Sequence, residues 1–136
     1  MKPTSLPVKL ENIPLELKRI ARWVLWDYME VGEEGAKRWS KVPLQISGKT
    51  ASTNNPSSWT DFMTVEEAYK TGKYSGIGFV FTQDDDLCGI DLDDCINEDG
   101  NLTDFAQNIL DTVNGYAETS PSGTGLKIFT RADLTT

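Results

Sequence analysis

Asp86-Leu87-Cys88-Gly89-Ile90-Asp91-Leu92-Asp93-Asp94-Cys95 is an apolar run that ends in carboxylates at alternate positions. Alternation of period two is the pattern of a half-buried β-strand. Side chains at i and i+2 share a face of a strand, so Asp91 and Asp93 are expected on one side, with Ile90 and Leu92 in the core on the other. Two like charges that close repel unless a cation sits between them, and hard divalent cations prefer carboxylate oxygen. The pattern equally suits an acidic strand end whose aspartates are merely solvated. Upstream, Gly76-Ile77-Gly78-Phe79-Val80-Phe81 is a second apolar run, separated from the first by the polar Thr82 to Asp86. Two short β-like runs around a turn cluster predict a hairpin.

The flanking sequence extends this pattern. Asn97 to Asn101 reads as a turn, and Thr103 or Asp104 as the cap of a helix with Phe105, Ile109, Leu110 and Val113 at helical spacing, ended by Asn114-Gly115. Tyr116-Ala117-Glu118-Thr119 and Leu126 to Arg131 are then two strands around Ser120-Pro121-Ser122-Gly123-Thr124-Gly125. Towards the N-terminus, residues 1–13 are expected as an extended lead-in, and Pro14 opens a short helix through Ile20. Trp23 to Met29 is aromatic and β-branched, a strand; Gly32 to Gly35 is a turn, and Lys37 to Ile46 a returning strand. After the polar loop Thr50 to Ser58, Ser57 or Ser58 caps a helical stretch through Phe62. Thr64-Val65-Glu66-Glu67 has capping-box spacing for a helix to about Lys70, stopped by Gly72. The order β-β-α-β-β-α-β-β after an opening helix predicts a mixed α+β fold with largely antiparallel sheet or sheets flanked by short helices.

With 136 residues the chain is one domain by length, residues 14–136 after the lead-in. A net charge of −8 argues against coating nucleic acid by charge alone. Much of the acid lies at 84–104, whereas positive charge gathers at Lys18 to Arg22 and Lys37 to Lys49, as suits a metal-binding face beside a basic flank. The chain has no histidine, which removes imidazole bases, Ser-His catalysis and zinc sites of the ordinary Cys/His type. Cys88 and Cys95 form no CxxC pair; reduced thiols are expected, with a disulfide between them left open. No apolar run reaches the length of a membrane span and no signal-peptide core is present, so a cytoplasmic protein without a membrane partner is expected.

In the loop Ser120 to Gly125, glycines beside small hydroxyl residues let backbone N–H groups converge on an anion, and Lys127 adds a point charge. A tight hairpin turn accounts for the same residues. It is no Walker A loop, because Leu126 separates Gly125 from Lys127 and a strand follows. A calcium loop at 95–106 fails, with Cys95 and Ala106 where Asp and Glu belong. Arg38, Lys41 and Lys49 suit either phosphate or a solvated surface. Trp23, Trp26, Tyr28 and Trp39 suit stacked bases or a core, and Trp59 a clamp or a buried helix anchor.

Taken in order, Gly-Ile-Gly-Phe-Val-Phe (76–81), Gly-Ile-Asp-Leu-Asp-Asp-Cys (89–95) and Glu-Thr-Ser-Pro-Ser-Gly-Thr-Gly-Leu-Lys-Ile-Phe (118–129) resemble the N-terminal primase-polymerase domain of phage and plasmid replication proteins. That domain belongs to the archaeo-eukaryotic primase superfamily and is often fused to a superfamily 3 helicase. Arg22-Trp23-Val24-Leu25-Trp26, Lys41-Val42-Pro43 and Ala51-Ser52-Thr53-Asn54 before Trp59 also match, so the resemblance runs from about residue 14 to 131. It implies a mobile-element DNA replication protein that performs metal-dependent nucleotidyl transfer. Asp91 and Asp93 would be catalytic ligands of Mg2+ or Mn2+. Ser122, Gly123, Thr124, Gly125 and Lys127, with Lys41, would bind the phosphates of a nucleoside triphosphate. The implied partners are single-stranded or primed DNA and a C-terminal helicase in the parent protein. Glu118 matches a recurrent acidic residue with no role derivable from the sequence. Two departures stand out. Lys127 occupies the place of the usual histidine, and the third acidic motif is not present before Thr136, so an incomplete catalytic domain, weak or inactive alone, is expected. The alternative is a non-catalytic primase-like module that binds nucleotide, nucleic acid or a replication partner.

Overall fold

The structure, a computed structural model, describes residues 1–83, 86–113 and 115–131. The elements are α1 (Leu15–Lys18), β1 (Trp23–Val31), β2 (Arg38–Leu44), α2 (Phe62–Lys70), β3 (Gly76–Phe79), β4 (Leu87–Leu92), α3 (Asp104–Val113), β5 (Tyr116–Thr119) and β6 (Leu126–Arg131). This is the expected order, and the fold is α+β with antiparallel pairing throughout. The chain divides into two compact units, Met1–Val80 and Phe81–Thr136. No helix among the described residues is long and apolar enough to cross a membrane.

The first unit is built on β1, which pairs with β2 on one side and β3 on the other. Its first three residues, Trp23, Val24 and Leu25, are all buried, as befits a central strand covered on both faces. Trp23 packs edge-on against Phe62 of α2 and Phe79 of β3, with ring centroids 5.1 and 5.2 Å away, and its indole N–H donates to the Leu17 carbonyl. Trp23 is therefore core. The lead-in is extended apart from one tight turn at Leu10–Asn12. It is tied to the unit where the Ser5 hydroxyl donates to the Ser75 carbonyl and the Val8 N–H to the Tyr69 hydroxyl.

Three local expectations are corrected here. Neither Ser57 nor Ser58 caps a helix through Phe62: Asn55 caps a single tight turn at Pro56–Ser58, and α2 starts afresh at Phe62. Its cap is Asp61, whose carboxylate accepts the Thr64 N–H at 2.8 Å, so the Thr64-x-x-Glu67 pattern lies inside the helix. Trp59 anchors a loop rather than a helix. Its indole N–H donates to the Ser52 carbonyl at 2.7 Å, and the ring packs on Val24, Ala51 and Val80. The cap also makes a testable pH dependence. Bonds from the Thr64 hydroxyl and amide hold the Asp61 carboxyl below its ordinary value of 3.8. A depressed folded-state pKa contributes stability above the unfolded value and loses it as pH falls through the folded one. Asp61→Ala is expected to cost about 1 kcal/mol at pH 7. Urea melts at pH 7 and below pH 3 should show that difference shrinking in acid.

The largest correction concerns the opening motif. The runs 76–81 and 86–92 do not form a hairpin: β3 pairs with β1, and β4 pairs with β6 in a second sheet of order β4-β6-β5. The reason is steric. Gly76 lies opposite Trp26 of β1, and a Cβ there would meet the indole at 2.4 Å. A glycine edge thus receives the tryptophan, a fit that the acid-bearing β4 does not offer. Asp84 and Asp85, in the connection, lie outside the described residues.

In the second unit one face of the sheet packs on α3. Ile128 and Leu126 of β6 bury with Ala106 and Cys95, flanked by Ile90, Leu92, Ile109, Leu110, Val113 and Ala117. Thr103 caps α3, its hydroxyl accepting the Ala106 N–H. Phe105, expected on the apolar stripe, is 69% exposed, because the buried stripe runs Ala106, Ile109, Leu110, Val113 at i, i+3, i+4, i+7 and leaves Phe105 beside it. Asn114, expected with Gly115 to end this helix, lies outside the described residues. Both cysteines are free thiols, Cys95 buried and Cys88 half-buried.

Candidate functional site

The candidate residues of the second unit gather at one end of the sheet. Ile90 and Leu92 point to the core, so Asp91 between them faces away and is exposed, as the alternation predicted. β4 ends at Leu92, which leaves Asp93 exposed one residue past the strand. Asp94 follows with a φ of +50°, a left-handed turn that aspartate tolerates better than most residues. The chain therefore swings away directly after the second carboxylate.

The loop Ser120 to Gly125 closes the β5–β6 hairpin at that same end. The Thr124 carbonyl accepts both the Cys95 N–H at 2.9 Å and the Ile96 N–H at 3.1 Å. Gly125 is pressed against β4, where a Cβ would stand 2.9 Å from the Leu92 carbonyl oxygen and 2.8 Å from Ser120 Oγ. The loop is thereby fastened to the segment that carries Asp93. Its amides turn inward. Gly123 N–H donates to the Ser120 carbonyl and Gly125 N–H to Ser120 Oγ, while Thr124 N–H reaches Ser122 Oγ at 3.4 Å. The hydroxyls of Ser120, Ser122 and Thr124 run in a chain with steps of 3.1 Å. Ser122 and Thr124 are exposed, so this loop offers a ligand hydroxyl groups beside the Lys127 ammonium more than a cradle of free amides.

Register brings the charged groups into a row. Lys127 on β6 lies directly opposite Asp91 of β4 on one side and Glu118 of β5 on the other. Direct cross-strand partners share a face with Cβ atoms about 4.5–5.5 Å apart. The Lys127 ammonium is 3.8 Å from Asp91 Oδ1, with the aspartate side chain 71% exposed. An ion pair so open to water contributes about 0.2–1 kcal/mol. The next row on that face is Gly89, Phe129 and Tyr116. Phe81 lies over Gly89, where a Cβ would stand 2.9 Å from its ring, and Phe81 and Phe129 have centroids 5.4 Å apart. Lys127 Nζ is 5.6 Å from the Phe81 centroid and 5.8 Å from that of Phe129.

Glu118 acquires surroundings that its sequence context did not supply. Its carboxylate accepts the Tyr116 hydroxyl at 2.9 Å. Desolvation raises its pKa, opposed by the Tyr116 hydrogen bond and the Lys127 charge. Tyr116 is pushed up too, by burial and then by the Glu118 charge and hydrogen bond. Neither Tyr116 nor Phe81 stood out in the sequence; the i, i+2 spacing of Tyr116 and Glu118 on a strand was the available signal. Lys41 lies on β2 in the first unit, its ammonium 5.6 Å from the Trp26 centroid.

The donor set can be weighed for a cation. Asp91 and Asp93 offer hard oxygen donors, but among the described residues no group of three His, Cys, Asp or Glu side chains gathers to hold a metal. Two carboxylates suit Mg2+, which keeps several waters and takes the rest of its shell from substrate phosphates rather than from an all-protein cage.

An α+β unit with an acidic strand end beside a serine- and glycine-rich hairpin loop is thus the class that the structure defines. In sequence, the chain is similar to a DNA primase-polymerase of Nitratiruptor phage NrS-1, with 32% identity over 120 residues, 87% of the chain and 16% of that protein. The chain therefore spans about a sixth of the length of this relative. No family model matches the chain.

Proposed function

We propose that the chain is part of a phage-type DNA replication protein of the primase-polymerase kind, and that the end of its second sheet is a nucleotidyl-transfer half-site. The observation that carries this reading is the fastening of the 120–125 loop to the segment after Asp91, through the Thr124 carbonyl and the Cys95 and Ile96 amides. It places hydroxyls, an ammonium and two exposed carboxylates at one end of one sheet. The likeness to a phage DNA primase-polymerase supports the same reading. Asp91 and Asp93 would hold Mg2+ or Mn2+, which when bound neutralises triphosphate charge and favours attack by a primer hydroxyl. Ser122, Thr124 and Lys127 bind and orient the triphosphate, Lys127 as a point charge without the proton-transfer range of an imidazole. Single-stranded or primed DNA is the template, and a C-terminal helicase in the parent protein belongs to the same proposal. For Lys41, on β2 of the first unit, a phosphate contact rests on the resemblance alone.

The second reading, a non-catalytic module that binds nucleotide, nucleic acid or a replication partner, is favoured by the Lys127 ammonium, which already faces Asp91 at 3.8 Å. Calorimetry separates the two. Mn2+ titrated into the chain with a nucleoside triphosphate should bind, and Asp91→Asn/Asp93→Asn should weaken binding at least tenfold, about 1.4 kcal/mol. Unchanged binding in the folded double variant would sink the metal assignment.

A further inference from the structure

Lys127 has a carboxylate on each side of it in direct cross-strand register, Asp91 on β4 and Glu118 on β5. We propose that Lys127 is an exchangeable counter-ion, whose ammonium neutralises Asp91 in the metal-free chain and crosses to Glu118 when a divalent cation takes Asp91. The proposal rests on the reading of Asp91 as a metal ligand and adds how this chain prepares that ligand.

Four observations support it. The Lys127–Asp91 separation of 3.8 Å exceeds a hydrogen bond, and both groups reach water, so the pair is easily broken. The ammonium stands at similar distances from two rings, 5.6 Å for Phe81 and 5.8 Å for Phe129, a surface that attracts a cation over a range of positions. Gly89 leaves room for the movement, since a Cβ there would come within 3.2 Å of Lys127 Cε. Lastly, the exposed Glu118 carboxylate accepts the Tyr116 hydroxyl at 2.9 Å, which orients it as a second acceptor. Glu118 and Tyr116 are positioning residues in this scheme, because they act through Lys127. Without such a device, Asp91 and Asp93 would be two uncompensated like charges whenever the metal is absent.

The test uses Mn2+ alone, titrated by calorimetry into the whole chain, with circular dichroism melts to confirm folding. Removing the lysine in Lys127→Met should tighten Mn2+ binding about two- to fivefold, the worth of one exposed ion pair. Glu118→Gln, which leaves the lysine only Asp91, should weaken binding by a similar factor. The decisive variant is the double one. It should bind as Lys127→Met does, since Glu118 has no role once the lysine is gone, and Lys127→Arg should keep the effect of Glu118→Gln. Additive effects of the two substitutions would mean a simple field of charges and would overturn the exchange. Mn2+ binding that ignores Lys127→Met would overturn it as well. No Mn2+ binding by any folded form, Lys127→Met included, would instead remove the metal reading on which the proposal stands.

Discussion

Ile128→Ala is expected to destabilise the second unit by about 2–5 kcal/mol, seen as a lower urea midpoint at unchanged slope. Ile128 is fully buried at the centre of β6, paired with Ile90 on β4 and Ala117 on β5. Among the described residues it clusters with the buried Cys95, Ala106 and Leu126, the rest of the cluster being half-buried. A core of that size has few neighbours able to collapse into the space left by the lost atoms, so the cavity persists along with the lost transfer energy. Domains are stable by only about 5–15 kcal/mol, so the variant should lie near the edge of folding. Ile128→Val, which removes one methylene, should cost about 0.5–1.5 kcal/mol. A loss under 1 kcal/mol for the alanine variant would contradict the packing described.

Gly125→Ala is expected to cost about 1–3 kcal/mol and to weaken Mn2+-dependent nucleotide binding at the same time. The new Cβ would stand 2.8 Å from Ser120 Oγ and 2.9 Å from the Leu92 carbonyl oxygen. The hydroxyl can rotate; the carbonyl belongs to the β4 backbone and cannot move alone. Relief therefore requires the loop to lift from the end of β4, which strains the bonds from the Cys95 and Ile96 amides to the Thr124 carbonyl. Gly123 makes the control, since its φ of +84° calls for glycine on conformational grounds. Gly123→Ala should strain the loop while leaving it fastened. Urea melts and calorimetry on both variants test the contrast. Equal retention of nucleotide binding in both would separate the loop from the site.

Much of the fold was legible because local pattern and tertiary need agree. The alternation at 87–92 marks β4, the helical spacing of Ile109, Leu110 and Val113 marks α3, and glycine and proline punctuate the 120–125 turn. The element order followed from local signals of this kind along the whole chain. Strand partnership did not, since period two says that a segment is a strand and which face it buries, but not which neighbour it chooses. For β3 the choice rests on Gly76 receiving the Trp26 indole across β1, a non-local fit. The cap of α2 failed for a smaller reason. The sequence singled out Ser57, Ser58 and Thr64, but the separate turn at Pro56–Ser58 makes α2 start afresh at Phe62, and Asp61 caps it instead.

The candidate site divides the same way. Residue type and spacing in the sequence were enough to single out Asp91 and Asp93 as exposed carboxylates, to place the hydroxyl and glycine loop in a hairpin, and to exclude every chemistry that needs histidine. These follow from side-chain chemistry and strand geometry, which are local. Only the tertiary structure decided that Lys127 stands between Asp91 and Glu118, that Tyr116 holds Glu118, and that the loop amides turn inward. The first depends on the register of β6 against β4, which is distant in sequence, as well as against its hairpin partner β5, and that register is settled by the packing of Ile128 and its neighbours on α3.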